Sequence, residues 1–179
     1  MQYKEILEIA EEIKEGLSWY CKRIEIAGSI RRKKKECNDI EIVAIPDCSK
    51  AFSLKRVLDK YLHIKGNFPG KYLRLQREDN GVFIDLFFCN KENWWVIFVI
   101  RTGNADFSHF LVTRARKLRY RVDKGFIFDE NGIPFEIESE KEVFDILKMK
   151  WIPPEKRNLT FGGYYEFTKK QIRKIGDTS

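Results

Sequence analysis

Ala27-Gly28-Ser29-Ile30-Arg31-Arg32, followed seven residues after Arg32 by Asp39-Ile40-Glu41-Ile42, decides how the rest of the chain reads. A turn of small residues beside paired basic side chains suits a run of phosphates. Two carboxylates separated by one residue point to the same face of a strand, because strand side chains alternate with period two. A phosphate grip next to paired acids indicates magnesium-dependent phosphoryl or nucleotidyl transfer. Neither half alone carries that reading.

A third acid completes the set. Gly81-Val82-Phe83-Ile84-Asp85-Leu86-Phe87-Phe88 is almost wholly apolar and follows Asn80, so that Asn80-Gly81 reads as a hairpin turn with Tyr72 to Glu78 as the partner strand. A carboxylate inside such a strand is costly to bury unless a cation or a metal pairs with it. Asp85 is therefore the least surface-like acid in the chain. A salt bridge to an arginine such as Arg74 is the plain alternative to a metal.

Composition limits what else the chain can be. At 179 residues, 43% hydrophobic and 14% aromatic, it can build one domain, or two small lobes, around a real core. Its 34 basic against 27 acidic residues leave a net charge of +7, which favours a polyanionic partner. The four cysteines (Cys21, Cys37, Cys48, Cys89) form no CxxC pair and only two histidines occur, which argues against a structural zinc site. Scattered thiols, a charged N-terminus and no apolar run longer than Trp94–Ile100 predict a soluble, intracellular protein with no membrane segment.

Along the chain, Ile6, Ile9, Ala10, Ile13 and Leu17 form the apolar stripe of a helix over residues 3–17. Strands are predicted at Arg23–Ala27 and Asp39–Ile45, a basic helical stretch to Lys35, and a helix over Ala51–Leu62. Trp94–Ile100 suits either a strand or a buried helix. Leu111, Ala115, Leu118 and Val122 mark a helix whose other faces carry Arg114, Arg116, Lys117, Arg119 and Arg121. A hairpin is expected around Asp129–Gly132, then a helix over Glu140–Leu147. Gly162-Gly163 sets off a basic tail.

The order apolar-Gly-Ser, nine residues, Asp-apolar-Glu-apolar, and later apolar-Asp-apolar resembles the nucleotidyltransferase superfamily that includes DNA polymerase beta. Within it, Gly28-Ser29-Ile30-Arg31-Arg32, Thr102-Gly103 with Phe107, Ser139-Glu140-Lys141-Glu142-Val143-Phe144-Asp145 and Trp151-Ile152-Pro153-Pro154-Glu155-Lys156-Arg157 resemble family X DNA polymerases. The likeness covers roughly residues 20–158. In size and layout the chain is similar to the family's reduced viral polymerases, such as that of African swine fever virus.

The resemblance implies an α+β fold. A nucleotidyltransferase palm, with a mixed sheet and flanking helices, would occupy 1–90. A small α+β C-terminal nucleotide-selecting subdomain would occupy 91–158 and a basic tail 159–179, with no lyase or helix-hairpin-helix domain. It also implies that Asp39, Glu41 and Asp85 hold two Mg²⁺ ions (Mn²⁺ being an alternative), with Asp85 as general base toward a primer 3′-hydroxyl. Gly28, Ser29 and Arg32 would grip the triphosphate, and Thr102 and Gly103 would place its sugar and base. Arg114, Lys117 and Arg121 are the expected duplex contacts, against the alternative of a solvated basic face. The implied partners are primer-template or gapped DNA and deoxynucleoside triphosphates, and the protein is expected to be a monomer.

Three departures from the family pattern bear on function. Glu41 stands where its polymerases usually have aspartate. Ile100-Arg101 replaces the aromatic pair that screens the sugar 2′-position, so ribonucleotides are expected as substrates too. Phe83 stands two residues before the third acid, where polymerase beta carries an arginine. The expected activity is template-directed DNA synthesis in short gaps; transfer to another acceptor, such as an RNA 3′ end, and an inactive nucleic-acid-binding relic are the alternatives.

Overall fold

The period-two pattern around Asp39 and the helical stripe before it need each other, since a sheet with one apolar face must bury it against something. In the computed structural model, which describes residues 1–160, they meet. Helix α1 (Tyr3–Ser18) buries Ile6, Ala10, Ile13 and Leu17, and Glu5 accepts the Gln2 backbone N–H at its start, 3.2 Å away. The chain divides into two compact units, Met1–Lys91 and Glu92–Ser179. The first unit continues with β1 (Cys21–Ile26), α2 (Gly28–Arg31), β2 (Asp39–Pro46), α3 (Ala51–Leu58), β3 (Leu62–Gly66), β4 (Tyr72–Gln76) and β5 (Phe83–Phe88).

These strands form one mixed sheet in the order β1-β2-β5-β4-β3. Neighbours run antiparallel except β2 and β5, which are parallel and so need the long crossover through α3, β3 and β4. One face of the sheet is apolar. Ile24, Ile26, Ile40, Ile42, Leu73, Leu75, Ile84 and Leu86 pack with the α1 stripe and with Leu54 and Leu58 of α3. Each such side chain contributes about 1.5–3 kcal/mol through burial, so this shared core holds the acid-bearing strands in place.

The second unit contains α4 (Trp94–Thr102), α5 (Ala105–Lys117), β6 (Arg121–Asp123), β7 (Phe126–Phe128) and α6 (Glu140–Ile146). Its own core brings together Val96, Val99, Phe107, Phe110, Leu111, Phe144, Leu147 and Met149. Trp94–Thr102 is thus a buried helix rather than a strand. Among the described residues no helix is long and apolar enough to cross a membrane.

Several local expectations are corrected. Helix α3 ends at Leu58, and Leu62, which fits the helical spacing from Leu54 and Leu58, instead opens the exposed edge strand β3. The connection between β4 and β5 spans more than Asn80-Gly81, since the Arg77 N–H donates to the Val82 carbonyl at 3.0 Å. Helix α5 stops at Lys117, so Val122 belongs to β6. The β6–β7 turn is Lys124-Gly125, both at positive φ (50° and 80°), as a type I′ turn requires. The hairpin expected around Asp129–Gly132 is present as well: across it the Asp129 N–H donates to the Ile133 carbonyl and the Phe135 N–H to the Ile127 carbonyl, both at 2.9 Å, Phe128 bridges Pro134, and the Asp129 carboxylate accepts the Asn131 and Ile133 N–H groups. The basic tail expected over 159–179 lies, from residue 161, outside the described residues.

The motifs at the end of the second unit have a structural cause. Ser139 caps α6 in a reciprocal pair with Glu142. Arg157 is fully buried; its Nη1 donates to Glu140 at 2.8 Å and its Nε to the Ile152 carbonyl at 2.8 Å. Asn104 joins the start of α5 to the same segment: its backbone N–H donates to Arg157 and its side chain exchanges two hydrogen bonds with Leu159. Removing one partner of a buried pair leaves the other charge uncompensated, at about 3–5 kcal/mol. Glu140→Gln should therefore lower unfolding free energy by about 3 kcal/mol in urea titrations; a loss under about 0.5 kcal/mol would assign the motif a role other than folding.

Candidate active site

The apolar core occupies one face of the five-stranded sheet, and period two sends the alternate residues to the other. Asp39 and Glu41 of β2 lie in register with Phe83 and Asp85 of β5, while Tyr72 and Arg74 of β4 lie opposite Phe87 and Asp85. Directly paired residues share a face. The three expected acids therefore project from adjacent strands on the face opposite the core. Asp85 is buried, as its apolar strand requires, whereas Asp39 keeps about a third of its side-chain surface.

Asp85 is held at both oxygens. The Tyr72 hydroxyl donates to Oδ1 at 2.6 Å, and Arg74 Nη1 donates to Oδ2 at 2.9 Å. The Arg74 salt bridge weighed against a metal is thus formed, but it is shared, because Arg74 Nη2 also stands 3.9 Å from Asp39 Oδ2. The guanidinium rests over the Phe83 ring, 4.6 Å from its centroid. Burial and the negative charge of Asp85 push the Asp39 carboxyl above the usual carboxylate range, with Arg74 and Arg32 opposing the shift. Burial and the bond to Asp85 likewise raise the Tyr72 hydroxyl.

Among the described residues, no group of three or more His, Cys, Asp or Glu side chains is arranged to hold a metal ion. The reason is visible in the side chains. Asp39 and Asp85 face Arg74, and Glu41 is folded against Gly28, where an added Cβ would overlap its carboxylate. In chemistry the donor set still fits a hard divalent cation. It consists of carboxylate oxygens, two of which repel each other and already share a positive group.

Beside the acids, the Gly-Ser turn is tied to β2 by the Ala27 N–H, which donates to the Glu41 carbonyl at 2.8 Å. Gly28 has φ +58° and Glu41 lies against its Cα, so both its backbone conformation and its lack of a side chain are used. The Ser29 hydroxyl is buried with no hydrogen-bond partner, a costly arrangement that an incoming phosphate oxygen would relieve. Arg32 is buried near Glu41 and Asp39; burial lowers its pKa and the two acids oppose that shift. Lys33, Lys34 and Lys35 are exposed. The helical stretch expected to reach Lys35 is a single turn ending at Arg31.

Residue pattern alone gives Tyr72 no role and offers Arg74 only as a salt-bridge partner for Asp85. Their signal was period two across the hairpin, which places positions 72 and 74 on the face of Asp85.

In the second unit the expected residues take different positions. Thr102 is fully buried and its hydroxyl donates to the Phe98 carbonyl at 2.6 Å, while the Phe107 ring lies against Gly103. A ligand at this turn would meet backbone rather than the Thr102 hydroxyl. Arg114 departs from its expected role: it is buried, and its Nε donates to the Leu147 carbonyl at 2.9 Å because Arg114 and Ala115 lie on the packed side of α5. Lys117 is exposed together with Arg116 and Arg119. Arg121 is exposed, 3.1 Å from Asp123 and stacked on Phe128.

Residues 98–158 match the DNA polymerase beta thumb family. A solved structure of Leishmania infantum polymerase beta, a ternary primer/template complex, superposes with a TM-score of 0.72 at 18% identity, covering 89% of this chain and 77% of that one. The chain is polymerase beta-like in fold. No curated protein matches it in sequence. The mixed α+β architecture agrees with the expected fold class, and the stretch that matches the polymerase beta thumb lies in the second unit.

Two substitutions test this geometry. Gly28→Ala forces a strained left-handed backbone and displaces Glu41, so it should cost at least about 1–2 kcal/mol in thermal or urea unfolding; an unchanged midpoint would contradict the contact. The second concerns Asp39, whose folded-state pKa lies above its unfolded value. Its ionisation as pH rises through the folded-state value costs stability, and the cost is absent at lower pH. Asp39→Asn should therefore be more stable than wild type near neutral pH, with the gain vanishing at pH values where the unfolded-state carboxyl is protonated. A loss at neutral pH would show that Arg74 more than compensates the burial.

Proposed function

We propose that the chain is a small DNA-directed DNA polymerase that extends a primer 3′-hydroxyl, filling short gaps during repair. The observation that carries this reading is the open sheet face. Three carboxylates on adjacent strands stand beside a buried, unpartnered serine hydroxyl and a buried arginine, on a polymerase beta fold.

Each residue has a role its position can serve. Asp39, Glu41 and Asp85 would hold two Mg²⁺ ions, which supply a lowered pKa at the primer hydroxyl and charge neutralisation on the triphosphate. Asp85 accepts the proton from the 3′-hydroxyl. The 3′ oxygen bonds to the α-phosphorus, the bond from that phosphorus to the bridging oxygen breaks, and pyrophosphate leaves with the electron pair. The Ser29 hydroxyl donates to a phosphate oxygen, which satisfies its buried donor, and Arg32 offers its charge to the same group. Gly28 lets the backbone approach closely. Exposed Lys117, Arg116 and Arg119 offer charges to duplex phosphates, as the net charge of +7 favours. With Ile100-Arg101 where the family screens the sugar, ribonucleotides join deoxynucleotides as substrates.

Primer extension with each nucleotide separately, on nicked, gapped and single-stranded substrates, tests the proposal. Template-dictated incorporation at a gap is expected. Template-independent addition, or product only on RNA ends, would favour another acceptor, and no product on any substrate would leave a binding relic. Asp85→Ala should lower incorporation by at least about 10³-fold while keeping DNA affinity within a few-fold; retained incorporation would remove Asp85 from the mechanism. DNA affinity should also fall steeply between low and physiological salt, and a flat response would contradict phosphate contacts.

A further inference from the structure

Arg74 does more than satisfy a buried acid. It is one cation facing two carboxylates that repel each other, at 2.9 Å from Asp85 and 3.9 Å from Asp39. Its position is set by the sheet, because Arg74 and Asp85 are directly paired across β4 and β5. About 30% of its side chain stays exposed, and its guanidinium rests over the Phe83 ring at 4.6 Å. A cationic group on an aromatic face keeps part of its stabilisation when it leaves an acid partner.

The two groups on Asp85 differ in what they would do to an incoming metal. Tyr72 donates a neutral hydroxyl to Oδ1, and a carboxylate oxygen can accept such a bond and ligate a metal with its other lone pair. The Arg74 guanidinium is a full positive charge on Oδ2 and near Asp39, so it and a divalent cation repel each other over the same oxygens.

We infer that Arg74 is a positioning residue that occupies the cation position between Asp39 and Asp85 in the resting site. It yields that position, withdrawing over Phe83, when a divalent ion enters. This rests on the metal-dependent reading above. On that basis Arg74 sets how much metal the site requires and prevents the acids from repelling each other without it. Tyr72 keeps Asp85 oriented in both states.

The test is Mn²⁺ binding to the full chain without DNA or nucleotide, followed by electron paramagnetic resonance of the free ion. Arg74→Met should bind roughly tenfold more tightly than wild type, and Arg74→Gln, which keeps a polar side chain in the strand, should behave alike. Arg74→Lys retains the charge and should stay within about twofold of wild type. Without metal, the Met and Gln variants should melt below wild type, with a larger upward shift on adding Mn²⁺. Equal or weaker Mn²⁺ binding by both neutral variants would overturn the inference alone. Tight binding that survives Asp39→Asn and Asp85→Asn in the Arg74→Met background would place the ion elsewhere and overturn the metal-site reading with it.

Discussion

The parallel register of β2 against β5 is the constraint on which the site depends. It sets Glu41 beside Asp85 and Asp39 beside Phe83, and so brings acids far apart in sequence onto one face. The opposite faces of the same strands supply Ile40, Ile42, Ile84 and Leu86 to the core under α1 and α3. A slip of one residue would exchange the two sets, burying carboxylates and exposing isoleucines. Apolar burial therefore stabilises the fold and, through the same register, aims the acids. Electrostatics alone would disperse them, since Asp85 raises the proton affinity of Asp39.

This explains what was legible in the sequence. The alternation around Asp39 and the stripe of α1 are long, regular patterns with one physical outcome each, a half-buried strand and an amphipathic helix, while the α+β class came with the family resemblance. Asp85 stood out because an acid in an apolar strand needs a partner. Other features depended on tertiary context. Leu62 continues the spacing of α3, yet lies in an edge strand. Arg114 looks like its exposed neighbours in composition, but the phase of α5 turns it toward the Leu147 carbonyl. Tyr72 and Arg74 are ordinary strand residues until the hairpin register places them over Asp85.

Family-like motifs in the second unit also divide by role once their contacts are known. Ser139, Glu140, Glu142 and Arg157 cap a helix and close a buried ion pair, while Thr102 bonds the turn above it in α4. These residues shape the second unit from within. Motifs of the first unit differ: Gly28 and Ser29 are a cradle without a side chain and a buried hydroxyl without a partner, features that weaken a fold unless a ligand uses them. Glu41 belongs to both sets, because its longer side chain reaches back over Gly28.

We propose that the open face of the first unit is a metal-dependent nucleotidyl-transfer site. Anomalous diffraction from crystals grown with Mn²⁺, gapped DNA and a non-hydrolysable nucleoside triphosphate examines it most directly. Mn²⁺ peaks ligated by Asp39, Glu41 and Asp85 are expected, with the triphosphate against Ser29 and Arg32 and the Arg74 guanidinium withdrawn from the acids. A bound nucleotide with Arg74 still bridging Asp39 and Asp85, and no Mn²⁺ on the three carboxylates, would contradict it.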